Sequence, residues 1–270
     1  MHMEGARCLV VGGARRLGGA LAVALAGYGS DVAVSTRAPA SAAEVAGAIG
    51  ALGRRCVVVS GDVTSRVDAR HIVAAATLGL GGLDVLVFAA SGPFTSLPAD
   101  AVGEDDWGRS MDVIARGFLF AAQAARDQFL GGVGTTTAAA AASTSARETT
   151  VDGGSSTPER GVIVAITDIL DSRPWGSMVP HFAAKAAQHM LIKTLAAAWA
   201  AEGVRVCGVA PGPVHLPGDE HREATERAAA RFGLLRLVGP AEVASVVRLC
   251  VENAALTGVD LPVDAGASLA

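Results

Sequence analysis

Residues 8–22 read CLVVGGARRLGGALA. An apolar, β-branched run ends in a glycine-rich string, Val11 to Gly19, which opens directly into an Ala/Leu-rich stretch. Strand, glycine turn and helix in immediate succession form the context in which a glycine string predicts a dinucleotide site. Gly12 and Gly18 would let the backbone approach a pyrophosphate, and the amino end of the following helix would add N–H donors and a positive dipole. A glycine-rich turn without any ligand is the plainer alternative.

Outward from this string the same rhythm repeats. DVAVS leads to a helix from about Ser41, RCVVVSGD to one from about Val67, and DVLVFAA to one around Ser110 to Leu130. GVIVAIT is followed by a helix around Met178 to Ala201, then by VRVCGVAPG, and DLPVD closes the series. Alternating strands and helices predict βαβ units and a parallel sheet. Strands this uniformly apolar suit a sheet covered on both faces. The expected fold is therefore α/β, a single-domain, Rossmann-type, doubly wound parallel sheet over residues 1–270. With 51% hydrophobic residues, the chain is long enough for one sizeable core.

Two connections interrupt the rhythm. Residues 131–161, rich in Gly, Ser, Thr and Ala, read as a disordered low-complexity insertion. A helix-to-strand connection lies at the amino ends of the strands, away from the ligand face, so a lid role for it is disfavoured. Residues 211–240 leave a strand at its carboxyl end and so read as a substrate lid, with a polar helical piece, GDEHREATERAAARFG. His215 and His221, within it, read as solvated or locally bonded histidines.

The formal net charge of -4 and dispersed basic residues exclude the electrostatic footprint of a nucleic-acid binder. No segment approaches the length of a membrane span, and the short amino-terminal apolar run is not a signal sequence. The expectation is a soluble, cytoplasmic protein with a small-molecule substrate. Cys8, Cys56, Cys207 and Cys250 are widely separated, which predicts buried free thiols and no metal site.

The glycine string, together with IVAITDILDSRPWGSMVPHFAAK at residues 163–185 and VRVCGVAPGP at 204–213, resembles the short-chain dehydrogenase/reductase family, and within it the pteridine-reductase-like branch. The resemblance spans essentially the whole chain apart from the 131–161 insertion. It implies an NADPH-dependent oxidoreductase acting on a small carbonyl or imine, with pteridine-like rings among the candidate substrates, and a homo-oligomer, dimer or tetramer, built partly on the terminal TGVDLPVDAG.

It also implies a cofactor site made of Gly12, Arg15, Arg16, Leu17, Gly18, Thr36, Arg37, Asp62, Val63, Ala89, Ala90, Lys185, Pro211, Gly212 and Val214. Against the family's T-G-x-x-x-G-x-G pattern, Val11 replaces the threonine and Arg16 the middle glycine. An NAD enzyme would carry a carboxylate at the end of the second strand. This chain has Ser35, Thr36 and Arg37 there. Arg16 and Arg37 would hold a 2′-phosphate by charge-assisted hydrogen bonds, with no acid to repel it, so NADP(H) is favoured. Arg37 as a solvated cation and Asp62 as helix-capping chemistry remain the plainer alternatives.

The family's Tyr-x-x-x-Lys appears here as His181 and Lys185, four apart on a predicted helix and therefore on one face. Asp168 stands thirteen residues before His181, where the branch carries an acid. The resemblance implies that Lys185 holds the nicotinamide ribose and that His181 takes the proton-donor slot, with Asp168 orienting it or the substrate. An imidazole is the commonest general acid or base. It is shorter than a phenol, and would stop ~2 Å or more short of the substrate oxygen unless a water intervenes.

Other positions depart from the family. Phe88, Ala89, Ala90 and Ser91 replace its N-N-A-G, and Ile114 its helix asparagine, removing the usual water relay. Asp168, Arg173 and Pro174 echo the T-D-x-x-x-x-R-P run of the pteridine-reductase branch. Phe94 and Trp175 suit a flat ring; Ser91 and Met178 read as pocket wall. Phe94 as a loop anchor, Trp175 as interface core and Arg173 as a surface cation are equally simple readings. A cofactor-binding regulator without turnover and a non-redox isomerase or dehydratase are the competing functions.

Overall fold

The computed structural model describes residues 1–92, 96–132, 157–169, 176–216, 223, 226 and 236–269. Short β-branched runs become strands: β1 (Arg7–Val11), β2 (Asp31–Thr36), β3 (Cys56–Ser60), β4 (Val85–Phe88), β5 (Gly161–Ile166), β6 (Val204–Pro211) and β7 (Asp260–Val263). Between them stand α1 (Arg16–Gly27), α2 (Ala43–Ala51), α3 (Arg66–Leu80), α4 (Glu104–Ser110), α5 (Gly117–Phe129), α6 (Val179–Trp199) and α7 (Pro240–Glu252). All strand pairs are parallel, in the order β3-β2-β1-β4-β5-β6-β7. The crossover from β3 to β4 passes β2 and β1, so the order reverses between β1 and β4, and ligands bind at such a switch point outside the strand carboxyl ends. Pro262 sits in β7, an edge strand, where a missing N–H costs no interior ladder bond.

Side chains alternate across the sheet and bury against a helix layer on each side. Cys8, Val10, Val85, Val87, Val162, Val164, Cys207 and Val209 meet α1 and α7 on one face. Leu9, Val11, Leu86, Phe88, Ile163, Val204 and Val206 meet α3, α5 and α6 on the other. Phe88 and Phe118 pack edge to face at 5.5 Å and are fully buried; burial of each contributes ~1.5–3 kcal/mol. Cys8, Cys207 and Cys250 are buried free thiols as expected, whereas Cys56 is only half-buried. Among the described residues no helix is long and apolar enough to cross a membrane.

Helix boundaries differ from the sequence expectation in two places. Residues 39–42 form a 3₁₀ turn before α2. The helix expected from Ser110 begins at Glu104 and contains one π-helical turn, Met111–Arg116, before α5. The π turn carries Ile114, fully buried. Apolar periodicity does not register one inserted residue, which explains the miss.

At the two ends of the insertion the described residues are 131–132 after α5 and 157–160 before β5. Arg160 N–H donates to the Gly203 carbonyl at 2.9 Å, beside the amino end of β6. Residues 133–156 lie outside the described residues, as does most of 217–235, where only Glu223 and Glu226, both helical, are described. At the base of that second connection the chain is joined to itself by a Val214–Val238 bridge.

Candidate active site

The cofactor positions named from sequence gather at the carboxyl ends of β1 to β4 and β6. After β1 the chain turns at Gly12, whose φ of +77° suits glycine. A Cβ there would stand 2.8 Å from the Ala90 Cα, so the turn packs against the loop after β4. A Cβ on Gly18 would collide with the Gly12 carbonyl oxygen. Both glycines are therefore required by backbone-to-backbone packing within the protein, beyond the ligand approach expected of them.

The amino end of α1 fits an anionic ligand. Its N-cap, Arg15, makes no side-chain capping hydrogen bond, and the first turn carries no acid. First-turn N–H groups without a capping side chain attract an anion. Arg15 and Arg16 are exposed at this end and Leu17 packs toward the core. Arg16 has a φ of +52°, in the left-handed region that its family's glycine adopts freely and an arginine occupies at a cost.

Thr36 ends β2, its hydroxyl 3.2 Å from Ser41 Oγ, and Arg37 follows it, exposed. Here one expectation needs correction: an acid does face Arg37. Asp62 Oδ2, arriving from the end of β3, lies 3.9 Å from Arg37 Nη1. Adjacent strand ends in the sheet bring together two residues that the sequence shows 25 positions apart. The other oxygen of Asp62 accepts from Thr64 N–H at 3.0 Å, a local turn, while Ser65 is the N-cap of α3 and accepts from Asp68 N–H. Val63 is buried against Gly117 of α5.

Ala89 and Ala90 are half-buried beside Gly12, and Ser91 is exposed. Pro211 ends β6 and Gly212 N–H donates to the Val263 carbonyl at 2.9 Å. Gly212 is close enough to Asp264 that a Cβ would approach its Cα to 3.0 Å. Phe94, Arg173 and Trp175 lie outside the described residues.

The chemical centre sits where β5 ends and α6 begins. Pro180 in the first turn of α6 is favoured there by its fixed φ. His181 follows and is buried at 5%, its ring edge-to-face with Phe182. Its Nε2 lies 3.2 Å from Oδ2 of Asp168, two residues past β5. The carboxylate is the more open member of the pair, with side-chain exposure of 18% against 6%. A separation of thirteen positions is thus closed into one contact.

One turn further along α6, Lys185 is buried. Its ammonium donates to the Ile166 carbonyl at 2.7 Å and to Gln188 Oε1 at 3.2 Å. Burial lowers its pKa to about 8, against the pull of Asp168 and Asp260, which raise it. Gln188, His189, Asp260 and Thr167, which complete this polar column, were not singled out from sequence. The available signal was the four-residue spacing of His181, Lys185 and His189 along one helix face.

Residues 6–227 match the sequence profile described as short chain dehydrogenase. A 3beta-hydroxysteroid dehydrogenase 1 of Eggerthella lenta is 27% identical, covering 99% of this chain and 95% of its own. A galactitol 2-dehydrogenase of Rhizobium johnstonii is 32% identical over 98% of this chain and 96% of its own. A solved short chain dehydrogenase of Burkholderia cenocepacia in complex with NADP is 29% identical, superposes with a TM-score of 0.80 and covers 99% of both chains. With the parallel sheet, its switch point and the β5–α6 centre in place, the protein belongs to the short-chain dehydrogenase family.

Proposed function

We propose that this protein is an NADP(H)-dependent oxidoreductase that interconverts a small alcohol and its carbonyl, or reduces an equivalent imine, with His181 and Asp168 acting as one acid–base pair. The observation that carries the reading is the 3.2 Å contact between His181 Nε2 and Asp168 Oδ2, one helical turn from the buried Lys185. When bound, NADPH supplies the hydride.

The uncapped amino end of α1 suits the pyrophosphate, and Arg16 and Arg37 supply cations for a 2′-phosphate. The NADP held by the Burkholderia relative supports the same choice. Asp62 at 3.9 Å shares Arg37 and so weakens its pull on a phosphate without removing it.

Lys185 would hold the ribose hydroxyls of the cofactor and supply a positive charge beside the His181–Asp168 pair. His181 Nε2 is the atom that exchanges a proton with Asp168, and the more open carboxylate is the outer member that faces the substrate oxygen. A carboxyl poised over a buried imidazole delivers the proton that a phenol would otherwise deliver, without the longer reach. The base of the 211–240 connection, joined by the Val214–Val238 bridge, lies at the carboxyl end of β6, on the side where a substrate would enter. The names of the relatives, a hydroxysteroid and a hexitol dehydrogenase, support an alcohol or carbonyl as the reacting group.

The test is transfer of deuterium from labelled NADPH to a panel of cyclic ketones, keto-sugars and dihydropteridines. Label in any product supports the reading; NADPH binding without transfer to the panel contradicts it.

A further inference from the structure

Three ionisable side chains recur at four-residue spacing along α6: His181, Lys185 and His189. The proposed chemistry uses the first two. His189 has a partner of its own, since its Nδ1 lies 2.9 Å from Oδ2 of Asp260, 71 positions later in the chain. The other oxygen of that carboxylate accepts a 2.8 Å hydrogen bond from the hydroxyl of Thr167, the residue next to Asp168. Asp260 is held from both sides, and its side chain is only 5% exposed.

Sheet register explains why a residue at the start of β7 reaches the centre. Asp260 pairs with Gly208 of β6, and Gly208 pairs with Ala165 of β5. Ile166, the next residue of β5, gives its carbonyl to Lys185. Gly208 leaves the space that the carboxylate fills, because a Cβ at that position would collide with Asp260 Oδ1.

Among the described residues, Lys185 donates directly to the Ile166 carbonyl and Gln188 Oε1, both neutral. A buried ammonium needs compensating charge. Two carboxylates stand nearby, and against the burial that lowers the Lys185 pKa both raise it. Asp168 contacts His181 one turn before Lys185, and Asp260 is hydrogen-bonded to Thr167, beside the Ile166 carbonyl that Lys185 binds. Asp168 is engaged with His181 and changes charge whenever that pair moves a proton. Asp260 lies outside the His181–Asp168 contact, held instead by Thr167 and His189.

We propose that Asp260, clamped between Thr167 and His189, is a positioning residue that keeps Lys185 protonated and in place while Asp168 and His181 exchange the proton. The inference rests on the role assigned to Lys185 above, and it gives the Thr167–Asp260–His189 cluster a function that the family resemblance does not supply.

Among the described residues, several charged groups on neighbouring elements have ion pairs of their own, while Glu104 and Asp105 of α4 are exposed. Asp112 and Arg116 of the π turn pair at 3.1 Å, and Asp106 pairs with Arg109 on α4. Arg205 of β6 is bound to Glu159. The Cys207 thiol of β6 donates to the Leu256 carbonyl at 3.3 Å, and Cys250 of α7 is a buried free thiol.

The chain has only two lysines, Lys185 and Lys193, so ε-¹³C-lysine labelling of the whole protein gives two resonances, assigned with Lys193→Arg. The expected result is that Asp260→Asn, nearly isosteric, moves the Lys185 titration midpoint down by about 1 pH unit, as loss of a nearby opposite charge does. NADPH affinity should then fall off at correspondingly lower pH, and Asp260→Glu should restore both. A Lys185 midpoint unchanged in folded Asp260→Asn overturns the proposal. If that variant does not fold, Asp260→Ser, which leaves room for water between Thr167 and His189, is judged by the same shift. A moved midpoint in a protein that transfers no hydride supports the Asp260–Lys185 coupling and removes the enzymatic reading instead.

Discussion

His181 Nε2 stands 3.2 Å from Asp168 Oδ2, and the carboxylate is the more exposed partner. The far nitrogen of the ring is therefore directed at the acid, and a proton leaving His181 by that atom passes to Asp168. Asp168→Asn keeps the shape and removes the exchange. Its hydride-transfer step should slow by roughly 10²–10³-fold, the usual range for loss of a general acid, with NADPH affinity nearly unchanged. Single-turnover rates and equilibrium titration of the same samples check both halves.

Arg16 holds a φ of +52°. An L-residue in the left-handed region costs ~1–2 kcal/mol, part of which glycine loses again through its unfolded-state freedom. Arg16→Gly should consequently raise thermal stability by up to about 1 kcal/mol while weakening NADPH about tenfold and leaving NADH unaffected. Melting curves and calorimetric titrations with both nucleotides test this, and the NADPH loss should shrink at high salt.

Gly18 sits where an added Cβ meets the Gly12 carbonyl oxygen. Backbone cannot yield as a flexible side chain does, so Gly18→Ala should cost about 3 kcal/mol or more, by collision and displacement of the turn. Gly27, whose Cβ would meet nothing within 4 Å, provides the control: Gly27→Ala should leave NADPH binding intact. Denaturant unfolding and NADPH titration of the pair distinguish a packing requirement from a general intolerance of α1.

Lys185 also gives stability a pH dependence of known sign. Its pKa is about 8 in the folded protein against an ordinary 10.5, so between these values the unfolded chain binds the extra proton. Stability therefore rises with pH in that window, by at most about 1.4 kcal/mol per pH unit. The buried Cys8 thiol, pushed up to about 12, acts oppositely once the unfolded thiol ionises near 9. Cys207, lowered from its ordinary value, adds to the rise below pH 9, so between pH 8 and 9 Lys185→Met should reduce, without abolishing, the slope seen in urea midpoints of the wild type.

The sheet was legible because its information is local. CLVVG, DVAVS and VRVCGVAPG each carry their own β-branched signal and punctuation, and all became strands. The positions after those strands were legible for the same reason, since a parallel sheet sends every strand end to one edge. What the sequence hid is long-range or conformational. Arg37 and Asp62 meet only because β2 and β3 are neighbours, and Asp260 reaches His189 only through the register of β5, β6 and β7. The positive φ of Arg16 and the π turn around Ile114 are backbone choices that side-chain periodicity does not encode. Phe94, Arg173 and Trp175 lie outside the described residues.

The central claim is that the His181–Asp168 pair supplies the proton for hydride transfer from NADPH. The most direct measurement is single-turnover deuteride transfer across a pH series in wild type, His181→Ala, His181→Tyr and Asp168→Asn, using a ketone that accepts label in the wild type. The account predicts label in product, a rate reduced by roughly 10²-fold or more in both His181→Ala and Asp168→Asn, and recovery with His181→Tyr. Equal transfer rates in all four proteins, or no transfer in the wild type despite bound NADPH, would contradict it.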